Sequence, residues 1–313
     1  MLGLLSLWPT TKIGPPPTVE LMKPAPFEYY APDSLEAALE LKSQHGDEGK
    51  PLAGGQSLIP AMNFRVAQPS LLIDLNRIDD LRYIRKQNGE MRIGAMTLQS
   101  QAEHDKLVEK QVPLLHEAIP NIAHSQIRNR GTVGGSLAHA DPAAELPVVA
   151  LALDARFRAQ NKGGERWIEA KDFFAGLFAN SLQTDELLVE IAFPEMPANT
   201  GTSFMEVARR SGDYAMAGLA ALLMLDKEGK CKKARLVYLN VGDGPVDAVQ
   251  AAVSLIGKKP NAAAFKEAGQ IASQKDMSPL GNLHATPDYQ RHLSAVLTER
   301  ALAQAFKRAQ ARK

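Results

Sequence analysis

Two glycine-containing segments are the parts of this chain best suited to hold an anion. Residues 53–57 read AGGQS, and residues 131–136 read GTVGGS. A tight turn after a strand leaves several backbone N–H groups pointing the same way, and glycine lets an anion approach the backbone closely. Either segment alone is typical of an ordinary turn. Two loops with hydroxyl side chains together favour a diphosphate, because it presents two charged groups.

Other cofactor and catalytic motifs are missing from the sequence. It has no G-x-G-x-x-G, no G-x-x-x-x-G-K-[ST] and no H-E-x-x-H. Its single cysteine, Cys231, excludes an internal disulfide and an iron–sulfur cluster held by this chain alone. His139 and Asp141 have the spacing of two metal ligands, but no third ligand lies nearby, so we predict a loop histidine and no metal site.

Composition indicates a soluble globular protein. The 313 residues are 45% hydrophobic and 23% charged, with a formal net charge of +1, which gives no general attraction to nucleic acid. The lack of disulfides favours the cytoplasm. No apolar run is long enough for an integral membrane segment. We expect residues 1–21, whose apolar start precedes three prolines, to be a disordered extension or a misassigned start.

The elements that must position the first glycine segment form an alternating pattern. A short strand at 27–30 precedes a helix with Asp33 as its N-cap and Glu36 as the reciprocal capping partner. A brief strand then enters the loop at 53–57, a helical turn is expected within 57–64, and a buried strand follows at 71–75. This order predicts a small α/β unit.

The rest of the chain predicts hairpins, helices and a second type of domain. Asn-Gly at 88–89 and the glycines near 163 indicate hairpins. Thr97 is predicted to cap a helix through about Lys110, another helix follows Pro113, and 130–146 resembles a loop. After a linker at 194–202, strands at 203–210, 215–226 and 233–241 precede a helical C-terminus. We therefore predict an α+β domain with a three-stranded antiparallel sheet.

Residues 22–310 resemble the medium, flavin-binding subunit of the xanthine dehydrogenase and aerobic carbon monoxide dehydrogenase family of molybdenum hydroxylases. The matching stretches keep the family's order and spacing: AGGQSLIP (53–60), LIDLNRI (72–78), IGAMT (93–97), IRNRGTVGGSLAHADPAAELP (127–147) and RRSGDYAMAG (209–218). The resemblance implies an FAD-binding domain of the vanillyl-alcohol-oxidase (PCMH) type at 22–195, with α/β subdomains at about 22–78 and 79–195. It implies a carbon monoxide dehydrogenase flavoprotein C-terminal domain at 200–310.

The same resemblance implies a non-covalent FAD and assigns its contacts residue by residue. The diphosphate would lie on 53–58 and 132–136, and Glu145 would accept hydrogen bonds from the adenosine ribose, supported by Asp141. Asp213 and Tyr214 would approach the isoalloxazine, where Tyr214 can stack. Gln56 stands where many relatives have histidine, and both can donate a hydrogen bond. The expected cofactor-binding residues are Ala53, Gly54, Gly55, Gln56, Ser57, Leu58, Thr132, Gly134, Gly135, Ser136, Asp141, Glu145, Asp213 and Tyr214.

The function that the resemblance implies is electron transfer without a catalytic side chain. A large partner subunit would carry molybdopterin, and a small partner subunit would carry two 2Fe-2S clusters that reduce this FAD. The expected assembly is a dimer of heterotrimers, and the electron acceptor stays open between a quinone, oxygen and NAD. Two alternatives remain: a stand-alone FAD-dependent oxidase, and a scaffold subunit that has lost FAD.

Overall fold

A computed structural model describes residues 22–312, so the expectation for residues 1–21 lies outside the described residues. The first region holds a parallel sheet in which β3 (Leu71–Asp74) lies between β1 (Glu28–Tyr30) and β2 (Gly49–Leu52). Because the carboxyl ends of parallel strands share one edge, the loop after β2 lies beside the residues that follow β3. The elements are β1 (Glu28–Tyr30), α1 (Leu35–His45), β2 (Gly49–Leu52), α2 (Leu58–Asn63) and β3 (Leu71–Asp74).

The N-cap of α1 is Ser34, so the prediction of Asp33 is wrong by one residue. The Ser34 hydroxyl accepts a hydrogen bond from the Ala37 N–H at 3.2 Å. Serine and aspartate are both good N-cap residues, so the residue types alone do not decide which of the two caps the helix. Ala38 and Leu39 face the core of this region, where α1 packs on the parallel sheet.

The second region is built on an antiparallel sheet with strand order β4-β5-β10-β6-β7. Both predicted hairpins are confirmed, at Asn88-Gly89 between β4 and β5 and at 162–163 between β6 and β7. Its elements are β4 (Ile84–Gln87), β5 (Glu90–Gly94), α3 (Gln99–His104), α4 (Lys106–Gln111), α5 (Pro113–Ala118), α6 (Ser125–Arg128), α7 (Val133–His139), α8 (Glu145–Ala152), β6 (Arg156–Asn161), β7 (Gly164–Glu169), α9 (Ala170–Phe173), β8 (Phe174–Gly176), β9 (Ala179–Asn180) and β10 (Leu187–Pro194).

Thr97 does not cap a helix that runs to Lys110, and that prediction is wrong. Its side chain is buried and donates to the Tyr83 carbonyl at 3.0 Å. The chain instead forms α3 and then α4, which restarts at Asp105 because that carboxylate accepts hydrogen bonds from the N–H groups of Leu107 and Val108 at 2.7 and 3.0 Å.

The third region carries an antiparallel sheet of four strands rather than the predicted three. The additional strand has two residues and pairs with β13. One face of the sheet packs against α10 (Val249–Leu255) and α12 (Pro287–Ala311), and α11 (Ala262–Ile271) packs on these two helices. The opposite face packs against α5 and α8 of the second region. The elements are β11 (Thr200–Ala208), β12 (Ala215–Leu225), β13 (Cys231–Leu239), β14 (Val246–Asp247), α10 (Val249–Leu255), α11 (Ala262–Ile271) and α12 (Pro287–Ala311).

The long helix α12 is fixed to α5 of the second region and to β11 of its own sheet. The Arg308 guanidinium donates to both carboxylate oxygens of Glu117 in α5, at 2.6 and 3.1 Å, and to the Thr202 carbonyl at 2.7 Å. A Cβ atom at Gly201 would lie 1.9 Å from the Ala305 carbonyl oxygen, so glycine permits this close approach of helix and strand. Within residues 22–312, none of the helices has the length and apolar character required to cross a bilayer.

Candidate functional site

The first glycine segment is a turn between β2 and α2 with backbone N–H groups left free. Gly55 has φ +74°, in the left-handed region that favours glycine. Among residues 22–312, the N–H groups of Gly55, Gln56 and Ser57 donate to no protein atom. The Gln56 amide folds back to the Gly54 carbonyl at 3.1 Å. The turn therefore offers three neighbouring N–H donors to an external acceptor.

The second glycine segment is the beginning of α7 and not a second free loop. Thr132 is the N-cap, and its hydroxyl oxygen accepts from the Gly135 N–H at 3.0 Å. The N–H groups of Val133, Gly134 and Ser136 donate to carbonyl oxygens at 2.9, 2.9 and 3.2 Å. The prediction that this segment repeats the free N–H arrangement is therefore wrong. Within the described chain, the Thr132 N–H and the Ser136 hydroxyl of this segment have no hydrogen-bond partner.

The glycines of the two segments allow the segments to touch. A Cβ atom at Gly54 would lie 2.3 Å from the Arg130 carbonyl oxygen and 2.7 Å from the Gly131 Cα. A Cβ atom at Gly135 would lie 3.3 Å from the Ala53 Cβ. The two segments are thus adjacent walls of one site. Gly54 and Gly135 are required in part because one wall packs directly on the other.

Gly134 is a packing glycine, so Gly134→Ala should destabilise the protein. Its added methyl group would lie 2.5 Å from the Ala95 Cβ and 2.7 Å from the Ala95 backbone. We expect the free energy of unfolding to fall by about 1–3 kcal/mol, as for other overpacked cores. Urea denaturation measures the change. Gly244→Ala is the control, since its Cβ would meet no atom within 4 Å. Equal stability of the two variants would contradict this role.

The acidic residues of the site follow the C-terminal end of α7. His139 is the last residue of this helix, not a loop residue, and its ring lies 5.1 Å from that of Phe178. Ala140 then adopts φ +53° and turns the chain toward Asp141, whose carboxylate accepts from the Ala143 N–H at 2.9 Å. Residues 22–312 contain no cluster of three or more potential metal ligands.

Glu145, the first residue of α8, is a buried carboxyl group whose side chain has no hydrogen bond to another described residue. Its relative exposure is 9%. Burial raises the pKa of Glu145 to about 8, and the nearby charges of Glu206 and Asp141 add to the shift. Its own backbone N–H is the one hydrogen-bond donor that this carboxyl meets within the described chain, so its burial is poorly compensated, as is typical of a group held for a ligand.

Glu206 is a second, half-buried acid whose charge acts on Glu145, and the sequence analysis missed it. It lies on β11 opposite Gly218, on the sheet face that packs against α8. Burial raises the pKa of Glu206 to about 7, and its Oε2 has no hydrogen-bond partner within the described chain. An acid among the apolar residues Phe204, Met205 and Val207 was the only signal in the sequence.

Tyr214 lies near Asp141 and Glu145, and its neighbour Asp213 is exposed. Desolvation of the Tyr214 hydroxyl and then the charges of Asp141 and Glu145 raise the pKa of Tyr214. Its side chain nevertheless has 70% relative exposure, so the ring is accessible. Asp213 donates its N–H to the Arg210 carbonyl at 3.1 Å in a turn. Gly212 in this turn has φ +87° and packs against the His124 ring, which anchors the segment.

The raised pKa values of Glu145 and Glu206 predict that the ligand-free protein becomes less stable as pH rises from about 5 to 8. Raised pKa values mean that the folded state keeps protons that the unfolded state has lost. The stabilising contribution of these two groups is complete below their unfolded-state pKa of about 4.5. It disappears as pH rises through their folded-state pKa values. Each group contributes at most about 1.4 kcal/mol per pH unit.

Denaturant titrations at several pH values measure this dependence. The double variant Glu145→Gln/Glu206→Gln should lose most of it, because neither amide titrates. If the free energy of unfolding changed with pH equally in the wild type and the double variant, these acids would have to be ionised in the folded protein.

Comparison with known proteins matches nearly the whole of the described chain. Residues 25–196 match the FAD binding domain in molybdopterin dehydrogenase. Residues 202–305 match the CO dehydrogenase flavoprotein C-terminal domain. The order of the two matches agrees with the order of the α/β and α+β regions described above.

Individual relatives extend over almost the full length. The alpha subunit of the 6-hydroxypseudooxynicotine dehydrogenase complex of Paenarthrobacter nicotinovorans is 43% identical, over 92% of this chain and 97% of that protein. The carbon monoxide dehydrogenase medium chain of Hydrogenophaga pseudoflava is 37% identical, over 92% and 99%. A solved structure of the Hydrogenophaga pseudoflava carbon monoxide dehydrogenase that lacks the Mo-pyranopterin moiety superimposes with a TM-score of 0.88, at 37% identity over 91% and 99%.

Proposed function

Since the chain belongs to the family of FAD-binding flavoprotein subunits of molybdopterin dehydrogenases, we propose that residues 53–58 hold the FAD diphosphate. The observation that carries this proposal is the set of three free N–H groups at Gly55, Gln56 and Ser57. Backbone N–H groups that point together bind phosphate oxygens without needing a charged side chain. The exposed Ser57 hydroxyl can add one more donor.

The other predicted residues take distinct parts in the proposed site. The Thr132 N–H and the Ser136 hydroxyl complete the diphosphate contacts, while Gly134 and Gly135 hold the second wall against the first. Glu145 accepts hydrogen bonds from the adenosine ribose, and Asp141 supports it. Tyr214, with Asp213 beside it, offers an accessible ring for the isoalloxazine.

The chain acts as an oxidoreductase subunit through the cofactor that it holds. Bound FAD supplies electron transfer from iron–sulfur clusters to an external acceptor. The protein's own residues bind and orient it: the N–H groups at 55–57 neutralise the diphosphate charge, and the buried acid Glu145 provides acceptors for sugar hydroxyls. None of these residues needs to act as an acid, base or nucleophile.

The chain is the medium subunit of a complex that also has a large, molybdopterin-binding subunit and a small, iron–sulfur subunit. We assign it to a dimer of heterotrimers in the cytoplasm, with an FAD-binding domain at 22–195 and a C-terminal domain at 200–310. Relatives of similar length are named for substrates as different as 6-hydroxypseudooxynicotine and carbon monoxide. This variety supports a substrate pocket on another subunit.

Reconstitution separates the electron-transfer subunit from a stand-alone oxidase. The full chain is purified, loaded with FAD and mixed anaerobically with substrates of molybdenum hydroxylases, first alone and then with its large and small subunits. We expect the visible absorbance of the oxidised flavin to bleach only when both partners are present. Bleaching by substrate alone would favour the oxidase, and failure to bind FAD would overturn the proposal.

A further inference from the structure

We propose that Tyr29, Asp74 and Asn76 form a positioning network that sets the first glycine loop for the diphosphate, an inference that rests on the proposed function. Asp74 and Asn76 belong to the LIDLNRI stretch, to which the flavin site above gives no role. They follow β3, at the sheet edge where β2 runs into the glycine loop. None of the three is expected to touch FAD.

The network connects the edge strand β1 to the backbone of the loop. The Asn76 amide donates to the Ala53 carbonyl at 2.8 Å and to the Asp74 carboxylate at 2.6 Å. The Asn76 N–H donates to the same carboxylate oxygen at 2.9 Å. The other Asp74 oxygen accepts from the Tyr29 hydroxyl. The Arg82 guanidinium donates to the Asn76 carbonyl at 2.8 Å and fixes the turn from the opposite side.

The bond to Ala53 is the step that can affect ligand binding. This carbonyl is part of the peptide group between Ala53 and Gly54. Because a peptide group is planar, the direction of the carbonyl fixes the orientation of the backbone at the start of the turn. Among residues 22–312, Asn76 is the one residue outside the loop that donates to the carbonyls of Ala53 or Gly54. Ala53 also contacts the second wall beside Gly135. Asn76 therefore controls both the loop direction and the separation of the two walls.

The alternative is that the network only stabilises the turn after β3. In that case, replacing Asn76 would lower the free energy of unfolding but would leave the environment of the diphosphate unaltered. The two roles are distinguished by the ³¹P resonances of bound FAD, which report the hydrogen bonds to the phosphates and not global stability.

The test compares Asn76→Ala with Tyr29→Phe and a control, each in the full-length chain. Asn121→Ala is the control, because its amide donates to two carbonyls at 3.0 and 3.2 Å at the end of α5, away from the loop. We expect Asn76→Ala to bind FAD about 10-fold more weakly and to shift the ³¹P resonances. Tyr29→Phe should weaken binding about threefold in the same direction. The control should keep wild-type affinity and resonances.

Wild-type affinity and resonances in Asn76→Ala would overturn the inference, whatever its melting temperature. If Asn76→Ala fails to fold, Tyr29→Phe decides, because this half-exposed ring is kept and only its hydroxyl is lost. Wild-type resonances and affinity in Tyr29→Phe would then overturn it. A wild-type chain that binds no FAD would instead overturn the proposed function and the inference with it.

Discussion

Replacing Ser57 with aspartate is expected to reduce FAD affinity at least about 100-fold while leaving the fold intact. Ser57 is exposed and has ordinary negative φ, so aspartate fits its backbone without strain. The new carboxylate would lie among the N–H groups proposed to hold the diphosphate. Two like charges about 4 Å apart repel by about 4 kcal/mol near a protein surface, more than the 2.7 kcal/mol that a 100-fold loss requires.

Ser57→Asn is the matched control, because asparagine has the same shape as aspartate without its charge. Its FAD affinity should stay within a few-fold of wild type, since one hydroxyl donor is exchanged for an amide donor. Fluorescence titration of FAD with each full-length variant measures both values. If Ser57→Asp bound FAD as tightly as Ser57→Asn, the diphosphate would have to lie away from this loop.

Glu145→Gln is expected to have opposite effects on stability and on binding. The ligand-free variant should be more stable than wild type at pH 8, because the buried group no longer ionises. At about pH 9, where the wild-type carboxyl is ionised, its FAD affinity should fall by about 10- to 100-fold, since a charge-assisted hydrogen bond to a sugar hydroxyl contributes about 1.5–3 kcal/mol. Such a trade of stability for binding is expected of a residue placed for its ligand.

Glu117→Gln provides the contrast for Glu145→Gln. Its carboxylate pairs with Arg308 and has no proposed contact with FAD, so the variant should lose stability and keep its FAD affinity. Thermal unfolding with and without FAD measures both properties for both variants. A Glu145→Gln protein with wild-type affinity would remove Glu145 from the site.

The elements that were predicted correctly are those with a local chemical signal. Asn88-Gly89 specifies a tight hairpin, and Pro113 begins α5 because proline suits the first turn of a helix. The predictions failed where tertiary packing decides the outcome. Helix α7 was read as a loop because its glycines, serine and histidine are weak helix formers, yet a Thr132 cap and the buried side chains of Val133 and Leu137 stabilise it.

The candidate site shows the same division between local and tertiary information. The sequence could indicate the first glycine loop, because a free turn of N–H groups depends on a few adjacent residues. It could not show that the N–H groups of Val133 and Gly134 have partners in the turn that follows β5, since those bonds join residues about 40 positions apart. Glu206 was missed for a related reason: only the register with Gly218 and the packing on α8 bring it toward Glu145.

Hydrogen exchange of the backbone amides at Gly55, Gln56 and Ser57, with and without FAD, tests the central claim most directly. These N–H groups donate to no atom of the described chain, so they should exchange rapidly in the ligand-free protein. We predict that saturating FAD slows their exchange at least about 10-fold, because the diphosphate becomes their acceptor. Unchanged exchange at these three amides, in a protein that has demonstrably bound FAD, would contradict the account.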